Sequence, residues 1–301
     1  GLFQPGTHVH FPKLSTLRLL SGLSVAHVPN AVLPPTLTKL ELFNSWGMYP
    51  FGGERFSACL LPPHLTSAKL FFFDTVLVRG VWPSTLSKLH VSGPKLANGL
   101  ELFLGDLPPS LTDLCLDFPS TMRSSDTRTS VIQESHLVSL PPALINLRIL
   151  VCRLEASSAR DIFRALPRSL TLFMLADMHI GEGVPEDAYE ALPPNLKTLS
   201  LDLVARTPGA SAKLPRSLTD LCITHENDMH QGVTSVSCLQ YLPYGLRTLN
   251  LMFVAGSTFS PDPQDVYFRH LTRFSDLVNL TIACNYSPTF CAVHLTNLPS
   301  T

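Results

Sequence analysis

Hydrophobic residues recur along this chain in a ten-residue pattern, of which Leu33-Pro34-Pro35-Thr36-Leu37-Thr38-Lys39-Leu40-Glu41-Leu42 is a clear copy. The pattern occurs eleven times, and its fifth position is leucine in every copy: Leu14, Leu37, Leu65, Leu86, Leu111, Leu144, Leu170, Leu196, Leu218, Leu246 and Leu277. Its tenth position is always Leu, Ile or Val, and its eighth is Leu except at Ala68 and Phe173. Successive copies start 21 to 33 residues apart, a spacing typical of proteins built from stacked repeats.

The end of each copy alternates apolar and polar residues with a period of two, which predicts a short β-strand. The intervening residues then point to the opposite face. One repeat buries about four apolar side chains, each stabilising by roughly 1.5–3 kcal/mol, whereas ordering its backbone costs about 1–2 kcal/mol per residue. A single repeat therefore cannot fold alone, and we expect neighbouring repeats to stack into a ladder of parallel strands.

Prolines precede most of these strands. The paired ones are Pro34-Pro35, Pro62-Pro63, Pro108-Pro109, Pro141-Pro142 and Pro193-Pro194. A proline fixes φ near −65° and lacks a backbone donor, so it ends the preceding segment before the strand begins. We therefore expect the chain to turn back into the sheet once in every repeat.

This Leu-Pro-x-x-Leu-x-x-Leu-x-Leu unit resembles the leucine-rich repeat. It looks most like the FNIP-type repeats of slime moulds and giant viruses, and it is similar to the LP-rich repeats of YopM-like and IpaH-like effectors. The resemblance implies an α/β solenoid, a horseshoe with a concave parallel β-sheet and an irregular, partly helical convex side. We expect residues 1–301 to form one domain of about eleven repeats. Because the final residues Leu298 to Thr301 look like the start of another copy, we also expect the chain to be a piece of a longer array.

The segments between the strands predict three short helices. Residues 157–166 place Ile162, Phe163 and Leu166 on one helical face, with Ser158 as a candidate cap. Residues 185–192 and 265–274 carry similar signals, whereas links such as 207–213 are too short and too rich in Pro and Gly.

Two inserts, the polar residues 119–130 and the proline-containing residues 255–264, are either flexible surface loops or partner-specific protrusions. The sequence leaves both readings open.

Composition narrows the function classes. The net charge is −1, so we expect no nucleic acid partner. No apolar run reaches the roughly 18–20 residues of a membrane helix. Seven cysteines show no zinc-like spacing, and Cys115 and Cys222 are predicted at the same solvent-facing strand position. Reduced cysteines favour an intracellular, cytoplasmic location, whereas the glycosylation sequons that start at Asn279 and Asn285 leave an extracellular one open.

Motifs for catalysis are not recognisable in the sequence. It contains no G-x-S-x-G, P-loop, dinucleotide-binding glycine pattern or HExxH. The polar cluster from His225 to His230 reads as a solvated loop, and His8 and His10 read as part of a chain end rather than metal ligands. We therefore expect no enzyme activity, no cofactor and no metal.

The informative surface consists of the polar positions of the strands, which are the third, fifth and seventh residues of L-x-x-L-x-L-x. The first four repeats are basic there, acidic residues appear from Asp113 onward, and Phe43 and Phe71 can act as interface anchors. The predicted protein-binding residues of this concave face are Arg18, Lys39, Glu41, Phe43, Lys69, Phe71, Lys88, His90, Asp113, Asp117, Arg148, Met174, Asp202 and Asp220.

These observations favour a non-catalytic protein–protein interaction solenoid, either a scaffold or a subunit of a larger assembly. Two alternatives stay open. The chain could be the substrate-recognition part of a larger enzyme, such as a ubiquitin ligase or a kinase. It could also be the ectodomain of an extracellular receptor or adhesin.

Overall fold

A computed structural model describes residues 11–20, 33–43, 55–71, 76–78, 80–93, 95–96, 99–117, 131–150, 153–154, 158–176, 185–202, 213–225, 242–253 and 271–284. The chain divides into two compact units, the first comprising residues 1–130 and 135–151 and the second residues 131–134 and 152–301. The expectation of one domain over residues 1–301 stays a prediction.

The described strands occur in chain order as follows: β1 Thr16–Leu20, β2 Lys39–Phe43, β3 Arg55–Ser57, β4 Ser67–Phe71, β5 Val76–Val78, β6 Lys88–Ser92, β7 Lys95–Leu96, β8 Asp113–Asp117, β9 Val131–Ile132, β10 Asn146–Leu150, β11 Arg153–Leu154, β12 Leu172–Ala176, β13 Thr198–Asp202, β14 Asp220–His225, β15 Thr248–Phe253 and β16 Asn279–Cys284. The α-helices are α1 Gly99–Gly105, α2 Glu134–Val138 and α3 Ala159–Ala165. Short 3₁₀ helices cover Ala58–Leu60, Glu186–Ala191 and Leu271–Arg273.

A tight turn leads into most of the repeat strands. The N–H of the leucine at the fifth pattern position donates to the carbonyl of the residue three positions earlier, as in Leu37 to Pro34 and Leu196 to Pro193. This is the hydrogen bond of a β-turn, and proline suits its position because only the carbonyl is needed there. The expected return of the chain into the sheet is therefore confirmed where these turns are described.

Parallel pairing in exact register defines the sheet of each unit. In the first unit the order is β1-β2-β4-β6-β8-β10, and each pattern position lies beside its equivalent in the next repeat, as in Leu40 beside Ala68 and Leu89 beside Leu114. In the second unit the order is β12-β13-β14-β15-β16, with the same equivalence. The fold is thus the α/β solenoid of leucine-rich repeats, and the predicted fold class is confirmed.

Leucines at the fifth pattern position form the centre of each core. Nine of them, from Leu37 to Leu246, have 0% of their surface exposed, whereas Leu14 and Leu277 in the first and last repeats are half-buried. The eighth and tenth positions, such as Leu40 and Leu42, are buried beside them. Because identical residues stack on identical residues, one sequence pattern produces the same packing environment in every inner repeat.

Hydroxyl groups connect successive repeats at the turns. The Thr66 hydroxyl donates to the carbonyl of Thr38 at 3.0 Å, and that same carbonyl accepts the backbone N–H groups of Thr66 and Ser67. Ser217 in the second unit donates its hydroxyl to the carbonyls of Pro194 and Leu196, each at 2.7 Å. Each such bond crosses from one repeat to the one before it, so it orders the stack as well as the turn.

A second layer of short helices and small sheets covers the buried face of each sheet, which carries the leucines. In the second unit, α3 confirms the helix predicted at residues 157–166, and its buried Phe163 packs with its ring 6.2 Å from that of Phe173 and 6.0 Å from that of Tyr189. The segment predicted at residues 185–192 is helical but forms a 3₁₀ helix, Glu186–Ala191. Of the third predicted helix, only the 3₁₀ turn Leu271–Arg273 lies within the described residues.

Two expectations about this layer are corrected, and one feature of it was not predicted. Ser158 precedes α3 but makes no capping hydrogen bond, because its backbone is already helical, with φ −98° and ψ −4°. The links that we expected to be non-helical include α1 and α2; α1 forms because Leu100 and Leu104, one turn apart, are both buried. The layer also contains small parallel sheets that we did not predict, β3-β5-β7 and β9-β11.

Candidate functional site

The outward positions of the repeat strands form columns that run across each sheet, and we call this surface the ladder face. In the first unit, the first column is Thr16, Lys39, Ser67, Lys88, Asp113 and Asn146, the second is Arg18, Glu41, Lys69, His90, Cys115 and Arg148, and the third is Phe43, Phe71, Ser92, Asp117 and Leu150. The residues between them, such as Leu40 and Leu42, are buried. Column neighbours lie one strand spacing apart, about 4.8 Å, so neighbouring side chains are close enough to interact.

Glu41 is the centre of an ion-pair network on this face. Its carboxylate lies 2.9 Å from Nε of Arg18 on one neighbouring strand and 3.5 Å from Nζ of Lys69 on the other. Glu41 is 17% exposed, whereas Arg18 and Lys69 are 64% and 49% exposed. The register places the three side chains in one column, so the repeat itself creates the network.

Two phenylalanine rings stack in the third column. Phe43 and Phe71 have ring centroids 4.4 Å apart and planes only 13° from parallel. The His90 ring meets Phe71 edge-on, with centroids 4.8 Å apart. Both phenylalanines are only partly buried, so this pair offers an apolar surface to solvent on a mostly polar face.

Lys39 and Lys88 stand out among the cations of the first unit. Both are exposed, and neither lies within 4 Å of a carboxylate in the part of the chain that the structure describes. Lys88 is in register with Asp113, but that carboxylate pairs with Arg148 at 3.5 Å and accepts a hydrogen bond from Asn146 at 3.1 Å. The two lysines are therefore available for a carboxylate from outside.

The acidic side of the first unit is engaged in local bonds. Asp117 accepts a hydrogen bond from the Ser92 hydroxyl at 2.7 Å.

Cys115, which we expected to face solvent, is only 9% exposed. It lies in register between the longer side chains of His90 and Arg148, which cover a thiol of this size. Burial raises the pKa of Cys115 to about 11, so the thiol stays protonated.

His90 is half-buried within the same column. Its burial lowers the pKa of the imidazole, while Asp117 opposes the shift and Lys69 and Arg148 support it. The lowered pKa favours the neutral ring near neutral pH. The ring then contributes to the aromatic stack without adding charge.

The ladder face of the second unit is different in chemistry. Its first two columns carry mostly small polar residues, in the orders Leu172, Thr198, Asp220, Thr248, Asn279 and Met174, Ser200, Cys222, Asn250, Thr281. Met174 is partly buried, Ser200 is buried, and Asp220 accepts a hydrogen bond from the Thr219 hydroxyl at 2.7 Å. Asp202 lies beside Thr224 in the register.

The structure brings together eleven of the fourteen predicted site residues. Those from Arg18 to Arg148 lie on six adjacent strands of the first unit. Met174, Asp202 and Asp220 lie on β12, β13 and β14 of the second unit. Sequence reasoning missed that Glu41 serves two cations and that Asp113 is already paired, although the repeat register alone predicts both neighbourhoods.

Several other candidates lie wholly or partly outside the described residues. These are His8 and His10, residues 226–230 of the His225–His230 cluster, the two inserts, and the sequon at Asn285. Across the described ranges, no three His, Cys, Asp or Glu side chains are grouped to hold a metal ion. Within the same ranges, none of the helices combines the length and the apolar character needed to span a bilayer.

Comparisons with known proteins give fold-level likeness only. No protein-family profile matches the chain, and no curated protein matches it. Solved structures that resemble it are the leucine-rich repeat-containing protein LegL7 of Legionella pneumophila (13% identity, TM-score 0.37, covering 81% of this chain and 95% of that one) and an internalin, inlF, of Listeria monocytogenes (12%, 0.41, 92% and 76%). A third is CroV588, described as a circular leucine-rich repeat protein (19%, 0.38, 85% of this chain). This chain spans 45% of the length of CroV588. The fold of this chain rests on its own strand registers.

Proposed function

We propose that this protein is a non-catalytic protein-interaction solenoid, a scaffold or assembly subunit that binds its partner through the ladder face. One observation carries the proposal. Lys39 and Lys88, which have no ion-pair partner among the described residues, lie on the same face as a partly exposed aromatic pair, Phe43 and Phe71. Aromatic and cationic side chains of this kind are typical anchors of protein interfaces.

The surrounding architecture supports a binding role. Parallel strands in exact register hold the side chains at fixed spacing, so a partner meets a face that is already ordered. The core beneath it is built from leucines that are fully buried. Substitutions on the face therefore change recognition with little effect on folding. An intracellular location is part of the proposal and is supported by the free thiols of Cys59, Cys115 and Cys222.

Site-specific crosslinking tests the proposal. A photoreactive amino acid at position 71 should crosslink a defined protein in lysate from the native source, and the same group at Arg216, an exposed turn residue of the second unit, should not. The triple variant that combines Lys39→Glu, Lys69→Glu and Lys88→Glu should abolish capture of that protein. The matched control, Lys13→Glu, Lys197→Glu, Arg216→Glu, changes the net charge equally at exposed turn positions and should retain it. Capture that survives the first variant would place binding elsewhere and refute the proposal.

A further inference from the structure

We infer that the ladder face of the first unit binds an acidic peptide segment that also carries an aromatic or large apolar side chain. This rests on the proposed function and names the chemistry of the partner. The segment would lie on a patch that we call the cation–aromatic patch, which consists of Lys39, Lys69, Lys88, Phe43 and Phe71. The patch spans strands β2, β4 and β6.

The charges on this face are unbalanced in favour of cations. On β1, β2, β4 and β6, the outward cations Arg18, Lys39, Lys69 and Lys88 oppose the single carboxylate of Glu41, which leaves three positive charges while His90 is neutral. Glu41 already pairs with both Arg18 and Lys69. The surplus of cations favours a partner of opposite charge, and carboxylates are the anionic groups that polypeptide side chains supply.

The geometry sets the spacing of those carboxylates. Lys39, Ser67 and Lys88 follow one another in a column across three strands, so the two lysine Cα atoms lie about 10 Å apart. An extended peptide that crosses the strands advances about 3.3 Å per residue. Acidic side chains two or three positions apart would reach both lysines, since lysine side chains are long and flexible.

The aromatic pair supplies a separate anchor. Phe43 and Phe71 lie in the third column, four residues along their strands from Lys39 and Ser67, which corresponds to about 13 Å. Their rings stack on each other and stay partly exposed, and the His90 ring meets Phe71 edge-on. An apolar side chain on the bound segment would cover these rings and exclude water from the neighbouring ion pairs.

A nucleic acid fits this surface less well. Glu41, Asp113 and Asp117 place three carboxylates on the same face, where phosphates would be repelled. Nucleic-acid affinity arises from many cations that follow the backbone, and the basic column here ends at Asp113.

Selection from a random twelve-residue display library against the 301-residue chain tests the inference. The enriched peptides should share acidic residues two or three positions apart and an aromatic or large apolar residue. A labelled peptide of the enriched class should bind the double variant Lys39→Ala, Lys88→Ala at least about tenfold more weakly than it binds wild type. Its affinity for wild type should fall as salt is raised. Lys197→Ala, Arg216→Ala, which changes exposed cations of the second unit, should bind it as wild type does.

Further variants separate the two parts of the patch. The double variant Phe43→Leu, Phe71→Leu keeps an apolar surface while removing the rings. It should weaken peptide binding and leave the salt dependence unchanged.

Three results would each overturn the inference: enriched peptides without acidic residues, no enrichment, or displacement of the peptide by a single-stranded oligonucleotide at equal concentration. If neutral peptides are enriched and still crosslink to position 71, the ladder face binds protein and only the partner chemistry is wrong. If no selected peptide and no lysate protein crosslinks there, the proposed function fails as well.

Discussion

The ladder faces of the two units share one geometry and differ in chemistry. In both units, parallel strands in register present outward side chains above a leucine core. The first unit places five cations and three carboxylates in its columns, together with two stacked phenylalanines. Among the residues described in the second unit, the columns carry Asp202 and Asp220 as their charged members, surrounded by threonine, serine and asparagine.

This difference shows how the repeat separates stability from recognition. The buried positions are nearly invariant between units because each must fill the same space, whereas the outward positions have no such constraint. Charge and aromatic surface are concentrated in the first unit. The following substitutions test whether the difference is confined to the face.

Core substitutions should have the largest effect and should not distinguish the units. Leu65→Ala in the first unit and Leu196→Ala in the second each remove a side chain with 0% exposure. Each should lower the free energy of unfolding by about 2–5 kcal/mol, since both leave a cavity in a packed core. Urea denaturation followed by circular dichroism measures the loss. If one unit tolerates the change at less than about 1 kcal/mol, the two cores are not equivalent.

On the ladder face, aromatic coupling should be present in the first unit and missing between the column neighbours described in the second. A double-mutant cycle with Phe43→Ala and Phe71→Ala should give a coupling energy of about 0.5–1.5 kcal/mol, because the rings stack. The control cycle uses Met174→Ala and Ser200→Ala, which are column neighbours in the second unit. A coupling energy near zero for the phenylalanines would show that the stack does not contribute to stability.

Loss of a turn hydroxyl should have a smaller effect on stability than loss of a core leucine side chain. The effect should again be similar in both units. Thr66→Val removes the bond to the Thr38 carbonyl, and Ser217→Ala removes those to Pro194 and Leu196. Each should reduce the free energy of unfolding by about 0.5–1.5 kcal/mol. Thr66→Ser, which keeps the hydroxyl, is the control. Equal stability of the valine and serine variants would contradict a role for the bond.

The ion-pair network should contribute least. Glu41→Gln removes both ion pairs, and because Arg18 and Lys69 are exposed, it should cost only about 0.2–1 kcal/mol. The difference from wild type should shrink as salt is raised to about 1 M. Asp220→Asn, whose carboxylate accepts a bond from the neighbouring Thr219, should show no such salt dependence. A salt-independent loss for Glu41→Gln would argue against the ion pairs as its cause.

The periodicity of the repeat predicted the strands of the two sheets well. It predicted the second layer, with its short helices and small sheets, less well. The fifth-position leucines and the alternation that follows them determine the strands and their register, because a slip by one residue would expose every leucine. The helices α1 and α2 were missed because each spans only one or two turns, and tertiary burial of Leu104 and Leu137, rather than propensity, stabilises them.

The positions of the candidate site residues were predictable from the sequence. Their ion pairing and burial were only partly predictable. Register follows from the repeat, so the columns that contain Lys39, Glu41 and Phe71 could be written from the sequence. Which charges pair depends on side-chain length and rotamer, and the sequence does not specify that Glu41 bonds to both neighbours while Asp113 bonds to Arg148. The burial of Cys115 likewise follows from the size of His90 and Arg148 beside it.

The hydroxyl bonds at the turns also affect how such a protein can change in length over evolution. Each donor and its acceptor belong to adjacent copies of the same pattern, as Thr38 bonds to Ser15, Thr66 to Thr38 and Ser87 to Thr66. Duplication of one of these repeats would therefore bring its own donor and its own acceptor, and deletion of one would leave its two neighbours able to bond to each other. Gene segments that encode whole repeats can be gained or lost without new compensating substitutions, while the outward columns evolve independently.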